Sequence, residues 1–142
     1  MAILMGLIMN VLFVCRANNG RSQIAEAIFN RLSRNRATSA GLEVGIEGSE
    51  GSVINKLDIS VMNEIGYDLS GYFRKQLTRE LTDNADVIVS MVDVKHISNY
   101  LNKSKRVIYW DIAASRNSSH KSEVITRDKI KKKVVQLVKE LR

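Results

Sequence analysis

The chain has 142 residues, 44% of them hydrophobic, enough for one globular domain with its own core. Twenty-two basic against 15 acidic residues leave a net charge of +7, which favours an anionic substrate or partner. The four tyrosines and three phenylalanines form no stacking stripe interleaved with the basic residues, so nucleic acid is not the expected partner. The single cysteine excludes an internal disulfide and points to a cytoplasmic protein, and no apolar run reaches the roughly 18 residues that span a bilayer.

The start, "MAILMGLIMNVLFVC", lacks the positive region of a signal peptide. Residues 1–8 read as an extension ahead of a domain covering 9–142, and Met5 and Met9 offer alternative translation starts. "NVLFVC" is a continuous β-branched and aromatic run, the pattern of a strand buried on both faces. Ile24, Ile28 and Leu32 then recur at helical spacing, which predicts an amphipathic helix over 22–34. "ATSAGL" reads as a short strand and "EVGIEGSEG" as a glycine-rich loop. Ile54, Leu57, Val61 and Ile65 mark a second helix, with Gly66 at its C-terminal cap.

Residues 66–84 form a polar connection with one or two helical turns. "ADVIVSM" is a second buried strand, Val94, Ile97 and Leu101 predict a short helix, and "RVIYW" a further strand. After a polar loop, Ile130, Val134, Leu137 and Leu141 define a closing helix, and "KIKKKVV" reads as its solvated face. Strands alternating with helices mean an α/β domain in three layers, a parallel sheet with helices on both faces. Sites in such folds lie at the carboxyl ends of the strands, where Cys15, Asp93 and Asp111 all fall.

The loop from Cys15 to Arg21 joins a buried strand to a helix, so backbone N–H groups and the positive helix end converge on whatever fills it. Gly20, Asn18 and Asn19 tolerate the backbone angles this requires, and Arg21 adds a planar fork for two phosphate oxygens. Cys15 stands at the mouth, where cationic surroundings favour the thiolate. A thiolate there is placed to attack phosphorus and form a cysteinyl-phosphate, with Ser22 donating to the sulfur. The competing reading is a small buried core cysteine with an arginine six residues later by chance. No Gly-Lys-Ser/Thr is present, which excludes a Walker-type loop.

"VLFVCRANNGRSQIAEAIF" resembles the active-site loop of the low-molecular-weight protein tyrosine phosphatases and the related thioredoxin-type arsenate reductases, a Cys-x5-Arg-Ser signature followed by an Ala-Glu-Ala helix. The likeness continues through "TSAGL", "VMNEIGYDLSGYFRKQLT" and "ADVIVSM". It implies a four-stranded parallel sheet and no metal or organic cofactor. It also implies Cys15 as nucleophile, Arg21 as phosphate clamp and Ser22 as thiolate stabiliser. Arg16, Ala17, Asn18, Asn19, Gly20, Arg21 and Ser22 would form the phosphate-binding loop, and phosphate or sulfate its expected occupant. Asn18 would take a left-handed conformation and bond to Ser39.

Three departures bear on function. Gly20 stands where many of these phosphatases carry a second cysteine, so no protective disulfide can form. The chain has no further cysteine to resolve an arsenate adduct, which favours phosphate-ester hydrolysis over arsenate reduction unless an external thiol takes part. The chain has no proline, so the Asp-Pro pair that supplies the family's general acid is missing, and its place falls on Ala114-Ser115. Asp111 is the nearest carboxylate and the expected donor, with Asp93 its competitor. The positions of the family's aromatic walls read "AASRN" and "LEVGIEG"; Tyr72 and Phe73 are expected to cover the core edge. The reading is a cysteine-dependent phosphatase acting on phosphotyrosine, as a phosphorylated protein or a small aryl phosphate. The alternatives are an arsenate reductase using an external thiol, or a weakly catalytic phosphate-binding module.

Overall fold

The computed structural model describes residues 7–44, 54–102, 105–114 and 119–142. Most of the 1–8 extension, the glycine-rich loop from 45 onward and Ser115 lie outside the described residues. Four parallel strands form one sheet, β1 (Asn10–Cys15), β2 (Arg36–Gly41), β3 (Val87–Ser90) and β4 (Arg106–Tyr109), in the order β2-β1-β3-β4. β1 is central, with Cys15 opposite Gly41 on one side and Val14 opposite Ser90 on the other. The chain leaves β1 for β2 on one flank and returns to β3 on the other. The sheet therefore reverses direction of winding beside β1, and the crevice opens at its carboxyl end.

Side chains alternate along β1 and feed two cores. Val11, Phe13 and Cys15 join Ile24, Ile28 and Phe29 of α1 (Arg21–Leu32) and Ile130, Val134 and Leu137 of α4 (His120–Glu140). Leu12 and Val14 face the other way, against Ile88, Leu77 and Ile97. Phe13, wholly buried, meets the Phe29 and Trp110 rings at centroid distances of 5.8 and 5.6 Å. Burying a side chain of that size contributes about 2 to 3 kcal/mol. α3 (Arg79–Asn84) is the one regular turn of the polar connection, opened by Thr78 accepting from the Leu81 N–H.

Two predicted elements differ from what forms. Where 94–101 was expected to be a helix, two 3₁₀ turns follow β3, Val94–His96 and Ser98–Tyr100, the first capped by the Asp93 side chain on Lys95 N–H. Their N–H groups bond three residues back, His96 to Asp93, Ile97 to Val94, Tyr100 to Ile97 and Leu101 to Ser98, which is the tighter 3₁₀ pattern. The second helix, α2 (Lys56–Asn63), ends before Gly66 at φ +86°, as its cap position requires, but its buried face is Asp58, Val61 and Met62, with Ile54 buried just ahead of it. Leu57 is only half-buried, and an aspartate takes the core-facing place.

Candidate active site

The loop after β1 is pulled outward by its carbonyls. Cys15 O accepts from Leu42 N–H at 3.0 Å, Arg16 O from Glu43 N–H at 2.8 Å, and Ala17 O from Arg74 Nε at 3.1 Å. Because a peptide's C=O and N–H point oppositely, the N–H groups of residues 16–18 turn toward the interior of the loop. Gly41 makes this possible. A Cβ there would lie 2.6 Å from Asn18 N and 2.7 Å from the Ala17 carbonyl carbon, so any side chain on β2 at that point would push the loop away.

Behind the loop Asn18 takes φ +51°, a left-handed conformation that asparagine tolerates better than most residues. Its amide donates to Ser22 Oγ at 2.7 Å and to Ser39 Oγ at 3.0 Å. Its Oδ1 accepts from Gln23 Nε2 and from Lys75 N–H, both at 2.8 Å. Ser22 Oγ lies 3.0 Å from Cys15 Sγ. With its oxygen already accepting from Asn18, the Ser22 hydroxyl proton is free to be given to the sulfur. Ser39 Oγ passes the chain on to Glu26 Oε1 at 2.8 Å. Burial, the largest effect, holds the Glu26 carboxyl above its ordinary range, offset in part by Lys75 and Ser39. The segment 73–77 that braces the loop was legible in the sequence only as a polar connection.

Arg21 opens α1 and reaches across the crevice. Its Nη1 donates to Ile112 O at 2.6 Å and to Met91 O at 3.3 Å, tying the loops after β4 and β3 to the first helical turn. That turn has no acidic residue and no side-chain cap, which leaves its N–H groups for an anion. A cavity of about 530 Å³ opens here, lined by Cys15, Arg16, Ala17, Asn19, Gly20 and Arg21. Its opposite walls come from Met91 to Asp93, His96, Ala114, and, on α2 and α4, Asp58, Glu123 and Thr126.

The structure thus brings together Cys15, the loop residues 16–22, Ser39 and Asp93. It does not bring in Asp111, which is exposed, accepts weakly from Tyr109 at 3.4 Å, and is absent from the cavity lining. The position of the missing acid, Ala114, does line the cavity and carries only a methyl group. Tyr72 packs against the core edge, but Phe73 is 54% exposed with Lys75 beside its ring, so the expected cover is half realised. Among the described residues no Phe, Tyr or Trp lines the cavity, and no cluster of ligand-type side chains could hold a metal.

Sequence reasoning missed Asp58 and Glu123. Burial first, then the hydrogen bond and negative charge of Glu123, push Asp58 up to about 8. The signal was present: Asp58 lies four residues after Ile54 and four before Met62, on the stripe that faces the core.

A family model described as low molecular weight phosphotyrosine protein phosphatase matches residues 10–142. The chain belongs to the low molecular weight phosphotyrosine protein phosphatase family. Membership in this family, with the fold, supports a cysteine-based phosphatase. A solved low molecular weight protein tyrosine phosphatase from T. tengcongensis is 25% identical, with a TM-score of 0.82 over 93% of this chain and 99% of that one. Vibrio vulnificus Wzb, solved with benzylphosphonate, shares the phosphatase fold at a TM-score of 0.87, 19% identity and 94% and 99% coverage. The glutaredoxin arsenate reductase of Synechocystis sp. is 34% identical over 83 residues, 57% of this chain and 58% of that relative, so the match spans little more than half of the relative's length. Among the described residues no helix is long and apolar enough to cross a membrane.

Proposed function

We propose that the protein hydrolyses aryl phosphate monoesters, phosphotyrosine among them, through a cysteinyl-phosphate on Cys15. The observation that carries this reading is Cys15 Sγ, 3.0 Å from the Ser22 hydroxyl, at a cavity lined by its own anion-binding loop. The Cys15 thiolate attacks phosphorus, the S–P bond forms and the ester P–O bond breaks. The N–H groups of the loop and the Arg21 guanidinium meet the charge that grows on the equatorial oxygens. Ser22 stabilises the sulfur when water later displaces it. Arg21 acts in a second way, because its two carbonyl contacts hold the walls of the crevice at a fixed spacing from the loop. The leaving oxygen needs a proton, and Asp111 would have to turn from Tyr109 toward the cavity to supply it.

A second reading, arsenate reduction with an external thiol, draws on the 34% identical arsenate reductase relative. Turnover of p-nitrophenyl phosphate, measured beside arsenate plus glutathione or thioredoxin, tests both. Aryl phosphate hydrolysis that Cys15→Ser reduces on the order of a million-fold, to background, supports the phosphatase. Thiol oxidation driven by arsenate, with no ester turnover, would replace it with the reductase. Phosphate binding with neither activity would leave a binding module.

A further inference from the structure

The buried stripe of α4 runs Ile130, Val134, Leu137 toward its C-terminus, but its first two turns put buried Thr126 and Arg127 there, with half-buried Glu123 beside them. α2 does the same with Asp58, 5% exposed among Ile54, Val61 and Met62. A carboxyl on a core-facing stripe is destabilising unless it is paired or protonated, and violations of this kind concentrate at functional sites. The polar part of this seam is also the part that borders the cavity: Asp58, Glu123 and Thr126 line it, together with the Cys15 loop. Arg127 holds the two helices in this relation, donating to Val61 O at 2.8 Å and lying 3.5 Å from Glu64.

Two details mark the pair as more than a packing accident. A Cβ on Gly20 would lie 2.6 Å from Asp58 Oδ2, so the carboxyl occupies the space that a side chain on the phosphate loop would fill. Asp58 Oδ1 is buried with no hydrogen-bond partner among the described residues. Asp58 faces Glu123 carboxyl to carboxyl, a contact that is a hydrogen bond only while one of them carries a proton. The other charged or titratable side chains lining this cavity are Arg16 and Arg21 from the loop and Asp93 and His96 from the turn after β3. Arg16 is paired with Glu43 at 2.9 Å, and Asp93 is committed to capping Lys95 N–H.

We propose that the Asp58–Glu123 carboxyl pair is the proton donor of the phosphatase reaction, in place of Asp111; the assignment rests on the phosphatase reading above. The pair enters the reaction with one shared proton. As the Cys15 sulfur bonds to phosphorus and the P–O bond breaks, that proton passes to the leaving oxygen, and the alcohol or phenol departs neutral. In the second step water attacks phosphorus, gives its proton to the pair and releases phosphate as the S–P bond breaks. The proton also has a binding role. A fully ionised pair beside Gly20 would repel a phosphate dianion from the N-terminus of α1.

The test compares phenyl phosphate, a poor leaving group, with p-nitrophenyl phosphate, a good one, for wild type, Asp58→Asn, Glu123→Gln, Asp93→Asn and Asp111→Asn. Inhibition by inorganic phosphate reports an intact loop in each variant. For Asp58→Asn and Glu123→Gln, turnover of phenyl phosphate should fall about 100-fold or more and that of p-nitrophenyl phosphate far less. The alkaline limb of the wild-type kcat/KM profile, near pH 8, should vanish in Asp58→Asn and move to lower pH in Glu123→Gln. An unchanged ratio of the two esters in both variants, with phosphate still inhibiting, overturns the pair, as does the same discrimination appearing in Asp111→Asn or Asp93→Asn instead. Two variants are used so that misfolding of the buried Asp58→Asn leaves Glu123→Gln to decide. A wild type inert toward both esters sinks the phosphatase reading itself, an outcome distinct from active wild type with an unchanged ratio.

Discussion

The two walls of the cavity are built on opposite terms. On the loop side Asn18 alone links Ser22, Ser39, Gln23 and the Lys75 backbone, so the nucleophile rests on groups that fix one another. On the α2/α4 side Asp58 has a buried oxygen without a partner and a neighbour of its own charge. Apart from one unpartnered atom, Gln23 Oε1, the uncharged groups around Asn18 are satisfied, and such a network holds one geometry. An unsaturated carboxyl pair gains or loses a proton easily because neither state is fully satisfied. The difference matches a division of labour: one wall must hold still while charge develops, and the other must change charge.

Substitutions can break or sharpen this contrast. The largest effect should come from Arg21→Lys, which removes the planar fork and the bonds to Ile112 O and Met91 O. Turnover of p-nitrophenyl phosphate should fall about 100- to 1,000-fold in kcat, read by steady-state kinetics. Asn18→Ala should come next, at about 3 kcal/mol of stability in urea unfolding, because it leaves buried Ser22, Ser39 and Gln23 without their common partner and places alanine at φ +51°. Gly20→Ala should cost about 1 to 3 kcal/mol, through the 2.6 Å approach to Asp58 Oδ2. In an Asp58→Ala background the same change should cost much less, and additive losses in that double-mutant cycle would show the approach to be harmless.

The last effect is a slope, small over any one pH unit. The folded state holds the Asp58 proton up to about 8, whereas the unfolded chain releases it near 3.8, the ordinary value of an aspartate. Between those values the folded protein binds more protons, so this group's contribution to stability falls as pH rises, by at most about 1.4 kcal/mol per pH unit, and levels off above the window. The unfolding free energy of Asp58→Asn should therefore gain on that of wild type from pH 4 to pH 8 and run parallel beyond it. Parallel curves throughout would mean that Asp58 is ionised in the folded state.

The fold was legible because its strongest signals are local. Val11 to Cys15 and Val87 to Ser90 are buried on both faces, and continuous apolar runs are what such strands require. The loop was legible because Asn18, Gly20 and Arg21 lie within one short segment whose chemistry is set by strand–loop–helix geometry. Leu57 and Asp58 show where this fails. Apolar character favoured Leu57 for the buried face of α2, but the rotation of the helix is fixed by its packing on α4, which buries Asp58 instead. The seam between α2 and α4 joins residues far apart in the chain, and the periodicity of either helix alone does not reveal a carboxyl facing a carboxyl. The brace at 73–77 escaped for a related reason. It supports the loop largely through backbone groups, Phe73 O and Lys75 N–H, and side-chain identity does not report those.

The solitary thiol has a practical corollary. Every thiol-directed covalent reagent must react at Cys15, so thiol alkylation stoichiometry counts competent centres one for one. A negatively charged alkylator such as iodoacetate should be drawn into the anion-binding loop ahead of its neutral amide, and inorganic phosphate should protect against it. Oxidation by peroxide has no second thiol within the chain to capture the sulfenic acid, so recovery of activity would depend on thiols in the surrounding solution.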